Sequence, residues 1–209
     1  GRGYDGVNVP DVRRAIAREG GRIPARPALA RTAASAVTLG AGGAAGSEGP
    51  VAVLGAAMAS FLGRALSFDP ERTKILVAAG AAAGISAIFN APLAGAFFAL
   101  EEILGSLAVG AFPPVVVASV VAAVVSHSFL GNHPAFPIPT EYGFALKREV
   151  FVFYPFLGIV AGVVAALFVR VFFGTETLVR KLRMPPAVLP WVGGALVGVL
   201  VVLSKGRLV

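Results

Sequence analysis

The chain of 209 residues has no cysteine, which excludes disulfide bonds and thiolate metal sites. Charged residues are also scarce, at 14% of the sequence against 56% hydrophobic residues, and the mean hydropathy is +0.82. This composition is far from that of a soluble globular domain and indicates a polytopic membrane protein. The two histidines, His127 and His133, lack metal-ligand spacing, and there is no HExxH motif and no paired nucleophile and base. We therefore expect no enzyme, no metal site and no cofactor.

Acidic residues are the rarer charge, with 11 against 18 Lys and Arg. The basic excess does not predict nucleic-acid binding, because the cations flank apolar segments and do not line one polar face. By the positive-inside rule, the basic regions 13–31 and 170–183 face the cytoplasm. The loops 69–74 and 141–149 have balanced charges, and we expect them on the outside.

Six stretches are apolar enough to lie in a membrane: 33–46, 51–66, 75–100, 103–127, 150–169 and 187–204. Several are rich in Gly, Ala and Ser, which lets helices approach closely. The third stretch is interrupted by Phe89-Asn90-Ala91-Pro92, where we expect a helix break with its freed backbone groups bonded inside the protein. Short, broken segments of this kind are typical of transporters built from inverted repeats. The predicted fold class is an all-α membrane protein.

Glu48 is an ionisable residue between two apolar stretches, in the motif Gly46-Ser47-Glu48-Gly49-Pro50. Proline is favoured at the first helical position, so the motif predicts the start of a helix. A helix start carries free N–H groups and attracts anions. We expect Glu48 to lie deep in the membrane, where it would compete with an anion and exchange protons. The alternative is that this carboxylate only caps a helix.

A second Gly-x-x-x-Pro segment, Gly6-Val7-Asn8-Val9-Pro10, precedes another helical pattern. Two helix starts directed at one point would hold an anion with backbone N–H groups. The pattern alone is weak in a chain with 26 glycines and 15 prolines. Its value comes from the context of the first motif.

Glu101 and Glu102 end the third apolar stretch. The predicted topology places them on the cytoplasmic side of the same core as Glu48. Each of the pair can be an ordinary charge at the end of a membrane helix. We favour that interpretation for Glu101, and for Glu102 both interpretations remain open.

Residues 46–50 and the run AGAAAGISAIFNAPLAG at 79–95, continuing to Glu101 and Glu102, resemble the signature stretches of the CLC family of chloride channels and chloride/proton antiporters. The long run is ungapped and much more specific than the short motif. Residues 6–10 stand where the family has its G-S-G-I-P motif. The resemblance implies a CLC-like, incomplete bundle of tilted and broken helices from an inverted-repeat architecture.

The resemblance covers nearly the whole chain but only the middle portion of a family member. It implies one transmembrane domain over 1–209, with about 1–149 forming helices of the first half and 150–209 the start of the second. It also implies a multi-pass integral protein of a prokaryotic plasma membrane, a homodimer in the lipid bilayer. This protein would exchange an inorganic anion, chloride, for protons.

The resemblance also implies roles for single residues. Glu48 is similar to the gating glutamate, which occupies the anion path when ionised and moves away when protonated. Glu102 is similar to the internal glutamate of the proton pathway. The anion would be held by residues of the two motifs: Gly6, Val7, Asn8, Val9, Pro10, Gly46, Ser47, Gly49 and Pro50.

Two positions depart from the family pattern. Val7 replaces a serine whose hydroxyl usually donates to the anion, and Ser47 replaces a basic residue beside the gating glutamate. The later G-x-F-x-P motif and the pore tyrosine have no counterpart. A passive channel for chloride or fluoride is therefore the alternative function, although Glu102 argues against it because channels usually lack that glutamate. A non-transporting structural protein is the third hypothesis.

Overall fold

The computed structural model describes residues 7–43, 46–106, 109–131, 150–181, 185 and 188–204. All regular structure in these residues is helical, without a strand, so the predicted all-α class is confirmed. The chain divides into two compact units, Gly1–Ile138 and Pro139–Val209. We refer to them as unit 1 and unit 2.

Unit 1 is built around one central helix. Its described helices are α1 (Val9–Arg18), α2 (Ala25–Gly40), α3 (Glu48–Ala65), α4 (Pro70–Phe89), α5 (Pro92–Phe98) and α6 (Phe112–Leu130), with a π-helical segment, Ala99–Leu104, directly after α5. Helix α4 packs against α3, α5, α6 and the π-helical segment. The buried core is dominated by alanine and valine, so the helices lie close together.

Helices α3 and α4 cross at Gly55 and Gly80. A Cβ on either glycine would collide with the carbonyl oxygen of the other. Further along the crossing, a Cβ on Gly84 would lie 2.6 Å from the carbonyl oxygen of Val51. Such contact between backbones is how membrane helices pack through small residues, as the composition predicted.

The predicted helix break lies between α4 and α5. Asn90 ends α4 in the left-handed conformation, with φ 53° and ψ 39°, which asparagine tolerates better than most residues. Two carbonyls beside the break accept hydrogen bonds from side chains inside the unit. The hydroxyl of Ser126 donates to the carbonyl of Ala87 at 2.7 Å, and that of Ser119 donates to the carbonyl of Pro92 at 2.6 Å.

The segment after α1 lies against the end of α3 and the start of α4. The Ser60 hydroxyl donates to the Gly21 carbonyl at 2.7 Å and accepts from the Ile23 N–H at 2.8 Å. A Cβ on Gly20 would lie 3.2 Å from the Cβ of Pro70. The first basic region and the loop 69–74 therefore lie at the same end of unit 1.

The prediction that the loop 69–74 faces away from the first basic region is wrong. The loop was assigned to the outside because its charges balance. Its two acidic residues form ion pairs with the basic residues of the same loop. Asp69 pairs with Arg72 at 3.2 Å, and Glu71 pairs with Lys74 at 2.6 Å. The positive-inside rule counts Lys and Arg and is not a net-charge rule, so the balanced charge of this loop was no reason to separate it from the first basic region.

Unit 2 contains α7 (Val150–Lys181) and α8 (Leu189–Leu203) in its described residues. The apolar stretch predicted to end at residue 169 continues as helix to Lys181. Arg170, Glu176 and Arg180 therefore lie in α7 and not in a loop. In the most apolar 18 residues of this helix, no residue is buried inside the structure.

Three helices in the described part of the chain are long and apolar enough to cross a membrane: Pro70–Phe89, Phe112–Leu130 and Phe153–Lys181. The last has a mean hydropathy of 2.5. Exposed apolar surface of this extent suits a lipid environment and not water.

Candidate functional site

Glu48 is the first residue of α3. The predicted helix start is confirmed, but the helix begins two residues before Pro50, so the proline takes the third position. The Val51 N–H donates to the Ser47 carbonyl at 3.1 Å and closes the first turn. Because the first N–H groups of a helix have no intrahelical partner, those of Glu48 and Gly49 are available to a bound anion.

The Glu48 carboxylate folds back over its own motif. A Cβ on Gly46 would collide with its Oε2 atom and lie 3.2 Å from its Cδ atom, so only glycine allows this placement. A Cβ on Gly49 would meet no atom within 4 Å. Within the described residues there is therefore free space beside the Gly49 Cα atom, whereas the space beside Gly46 is occupied by the carboxylate.

Within the described residues the Glu48 side chain is exposed and forms no hydrogen bond or ion pair. The expectation that Glu48 lies deep in the membrane stays a prediction. Helix α2 reaches the start of α3 at its backbone and not at the carboxylate: the Thr32 hydroxyl lies 3.3 Å from the Pro50 carbonyl.

The second motif forms the start of α1. Val9 is the first helical residue and Pro10 the second, as the motif predicted. Val7 is 1% exposed and belongs to the apolar core, whereas Asn8 is exposed. Gly6 lies outside the described residues.

The start of α1 is already engaged by a carboxylate of the chain. Asp11 Oδ2 accepts from the Asn8 N–H at 2.9 Å, and its Oδ1 pairs with Arg14 Nη2 at 3.2 Å. Sequence reasoning missed Asp11, although an acidic residue three positions after an asparagine cap is a recognisable capping signal. This helix start offers an anion less free N–H surface than the start of α3.

Glu102 lies in the π-helical segment with its side chain 48% exposed. Its Oε1 atom accepts from Nη1 of Arg13 in α1 at 3.1 Å. The other four ion pairs in the described residues join positions three or four apart, whereas this one joins residues 89 apart. Arg13 was assigned only a topological role from sequence, since its partnership depends on the packing of α1 against the π-helical segment.

The structure does not bring Glu48 and Glu102 together. Helix α3 starts at Glu48 and ends beside the start of α4, and its 18 residues span about 27 Å. Glu102 lies at the end where α4 starts, because the residues that follow it share a cleft with Glu71 and Lys74. The neighbouring Glu101 is exposed and has no ion pair within the described residues.

Comparison with known sequences identifies the family. The profile described as "Voltage gated chloride channel" matches residues 1–208. The chain belongs to the voltage-gated chloride channel family. The resemblance noted from the sequence is thereby confirmed. No solved structure gives a significant match.

Relatives of this CLC protein come from bacteria and plants. A ClcB-like chloride channel protein of Ralstonia nicotianae is 34% identical over 91% of this chain and 45% of its own length. The chloride channel protein CLC-e of Arabidopsis thaliana is 36% identical over 84% of this chain and 26% of its own length. The ClcB chloride channel of Citrobacter koseri is 32% identical over 84% of this chain and 42% of its own length. The chain thus spans less than half the length of these relatives.

Family membership and the three apolar helices together make this CLC protein an integral membrane protein. The three relatives are named as channels and none as an enzyme.

Proposed function

We propose that this CLC protein exchanges chloride for protons, with Glu48 as the group that competes with the anion and carries the proton. The observation that supports this most strongly is the arrangement at the start of α3. A carboxylate stands next to Gly49, which has free space beside its Cα atom, at a helix end that attracts negative charge. The names of the relatives support chloride as the substrate.

The mechanism follows from competition between two negative groups. An ionised Glu48 is itself the anion at the start of α3, so chloride is repelled. Protonation removes that charge and frees the side chain to leave the space over Gly46. Chloride then reaches the N–H groups of Glu48 and Gly49, with Ser47 and Pro50 shaping the turn. Loss of the proton returns the carboxylate and expels the anion.

Glu102 supplies the second proton-carrying group in this proposal. Its half-exposed carboxylate lies at the end of unit 1 that carries the first basic region, which the positive-inside rule places at the cytoplasm. Protons would enter there and leave at Glu48. Arg13 holds the Glu102 carboxylate toward α1 until the carboxylate takes up a proton.

The remaining parts of the proposal rest on the family resemblance. They are a homodimer in a lipid bilayer, a prokaryotic plasma membrane, and a division of the transmembrane domain near residue 149. Residues 6–10 would contribute a second, weaker contact to the anion. We expect no cofactor, no metal and no nucleic-acid partner.

A passive anion channel is the second candidate, and the start of α1 favours it. Val7 is buried and has no hydroxyl to offer an anion, and Asp11 already binds the Asn8 N–H. Weaker anion binding there would loosen the coupling between anion and proton. Chloride and fluoride are the candidate ions.

The test is simultaneous recording of chloride efflux and pH from liposomes that contain the complete purified protein. Exchange predicts proton movement driven by a chloride gradient, and loss of that movement in both Glu48→Gln and Glu102→Gln. Glu101→Gln is the matched control and should retain coupling. Chloride efflux without proton movement in the unaltered protein establishes the channel, and absence of both fluxes rejects transport.

A further inference from the structure

An open cleft of about 710 Å³ lies beside the ion pair between Arg13 and Glu102. Its walls come from α1, the start of α4, the end of the π-helical segment and the residues just before α6. The charged side chains that line it are Arg13, Arg14, Arg18, Lys74 and Glu71. Four cations and one carboxylate thus face the same space.

The arginines of this cleft are only weakly engaged by the protein, whereas Lys74 is paired with Glu71 at 2.6 Å and its side chain is 26% exposed. The side chains of Arg13 and Arg14 are 52% and 57% exposed, and ion pairs at such exposure contribute little because water screens them. Arg18 has no ion pair or hydrogen bond within the described residues. These guanidinium groups can therefore turn toward a bound anion with little loss of stability.

The size and the chemistry of the cleft indicate the class of anion. Its volume lies in the range of roughly 300 to 1,000 Å³ found for small-molecule sites and far exceeds what a halide needs. Guanidinium groups bind the oxygens of a phosphate in pairs through their planar fork. Pro10, Ile103 and Leu104 add apolar wall, against which the rest of a phosphate ester would lie.

We propose that this basic cleft binds a phosphate group, supplied by an anionic phospholipid or by a soluble phosphate. The cleft lies at the end of unit 1 that carries the first basic region, which places it at the cytoplasmic surface of the membrane. Anionic headgroups and soluble phosphates are both present there. Nothing in the chloride and proton cycle proposed above requires these four cations together.

Binding in this cleft also has a consequence for Glu102. Arg13 lines the cleft and also donates to the Glu102 carboxylate, so a bound phosphate competes for the same guanidinium. Occupancy would release Glu102 from α1. This consequence rests on the proposed function of Glu102, whereas the binding site itself does not.

The binding test uses the complete purified protein at constant chloride concentration. Calorimetric titration with inorganic phosphate probes the soluble source, and native mass spectrometry after incubation with cardiolipin probes the lipid source. We expect Arg18→Gln and Lys74→Gln each to weaken phosphate binding about tenfold, the loss of one charged hydrogen bond. Arg18→Lys keeps the charge and should retain most of the affinity.

Arg31→Gln is the matched control, because it removes the same charge from an exposed residue of α2 that does not line the cleft. Weakening of phosphate binding alone assigns the site to a soluble ligand, and weakening of cardiolipin retention alone assigns it to lipid. Either result supports the proposal. The proposal is overturned if Arg18→Gln and Lys74→Gln bind phosphate and cardiolipin as tightly as the control Arg31→Gln does. Unchanged thermal unfolding confirms that the variants are folded.

The consequence for Glu102 is tested separately in liposomes. If the protein exchanges ions, phosphate or cardiolipin should change the ratio of protons to chloride in the unaltered protein and not in Arg13→Gln. An equal change in both rejects the competition for Arg13 and leaves the binding result standing. Absence of transport rejects the proposed function, and the binding measurements still decide the site.

Discussion

The starts of α1 and α3 show how two copies of one short pattern acquire different chemistry. Both have the form Gly-x-x-x-Pro and both begin a helix. At α3 the carboxylate of Glu48 is exposed, and within the described residues there is free space beside the Gly49 Cα atom. At α1 the carboxylate of Asp11 is 16% exposed and is held by Asn8 and Arg14.

The difference comes from where the carboxylate stands in the first turn. A residue at the third helical position can accept from the cap residue and close the helix end, as Asp11 does. Glu48 stands at the first position and forms no such hydrogen bond within the described residues. The exchange proposed for α3 therefore depends on a carboxylate that is not used as a cap.

Removal of the exchangeable carboxylate should have the largest effect. Glu48→Gln should reduce chloride-driven proton flux to the level of empty liposomes, because the amide cannot carry the proton. Asp11→Asn removes the same charge from the other helix start and should retain coupling. Proton uptake measured with a pH electrode checks both, and equal loss in the two variants would falsify the distinction between them.

A smaller effect is expected from filling the free space beside Gly49 in α3. Gly49→Ala places a methyl group in space where no atom lies within 4 Å, so the fold should tolerate it. The methyl group blocks the approach of an anion to the N–H groups, and we expect chloride efflux to fall about tenfold, the value of one charged hydrogen bond. Unchanged efflux would show that the anion does not pass this point.

The α1 start should gain anion affinity from a hydroxyl. Val7→Ser adds a hydrogen-bond donor in the place of a buried valine. We expect the ratio of chloride flux to fluoride flux to be about twofold to tenfold higher than in the unaltered protein. Val7→Thr is the control that keeps more of the buried volume. Flux ratios in paired chloride and fluoride gradients measure the change. Identical ratios in all three proteins would remove α1 from the anion path.

The smallest expected effect is on stability. Asp11→Ala removes a cap from α1 and should lower the free energy of unfolding by about 1 kcal/mol. Ser47→Ala should have less effect, because Ser47 makes no cap hydrogen bond at α3. Thermal unfolding in detergent compares the two. A larger loss for Ser47→Ala than for Asp11→Ala would contradict the roles assigned to these helix starts.

Local chemistry allowed much of the fold to be predicted from the sequence. Proline and glycine placed the helix starts of α1 and α3, and Asn90-Ala91-Pro92 placed the break after α4. The many small residues predicted that helices approach closely, and the structure shows such an approach at Gly55 and Gly80. These features depend on the backbone preferences of a few adjacent residues, which the sequence states directly.

Features that depend on packing could not be predicted in this way. The pair between Arg13 and Glu102 joins positions 89 apart, and only the contact of α1 with the π-helical segment creates it. The loop 69–74 was placed on the wrong side because its net charge was used where the cations alone decide. The length of α7 was underestimated because Arg170 was taken as a loop residue, although a charged side chain does not end a helix.

The central claim is that Glu48 and chloride compete for the start of α3. Calorimetric titration of the complete purified protein with chloride tests it most directly. Glu48→Gln removes the competitor, so chloride should bind more tightly than to the unaltered protein, while Asp11→Asn should leave the affinity unchanged. Equal or weaker chloride binding by Glu48→Gln would contradict the claim.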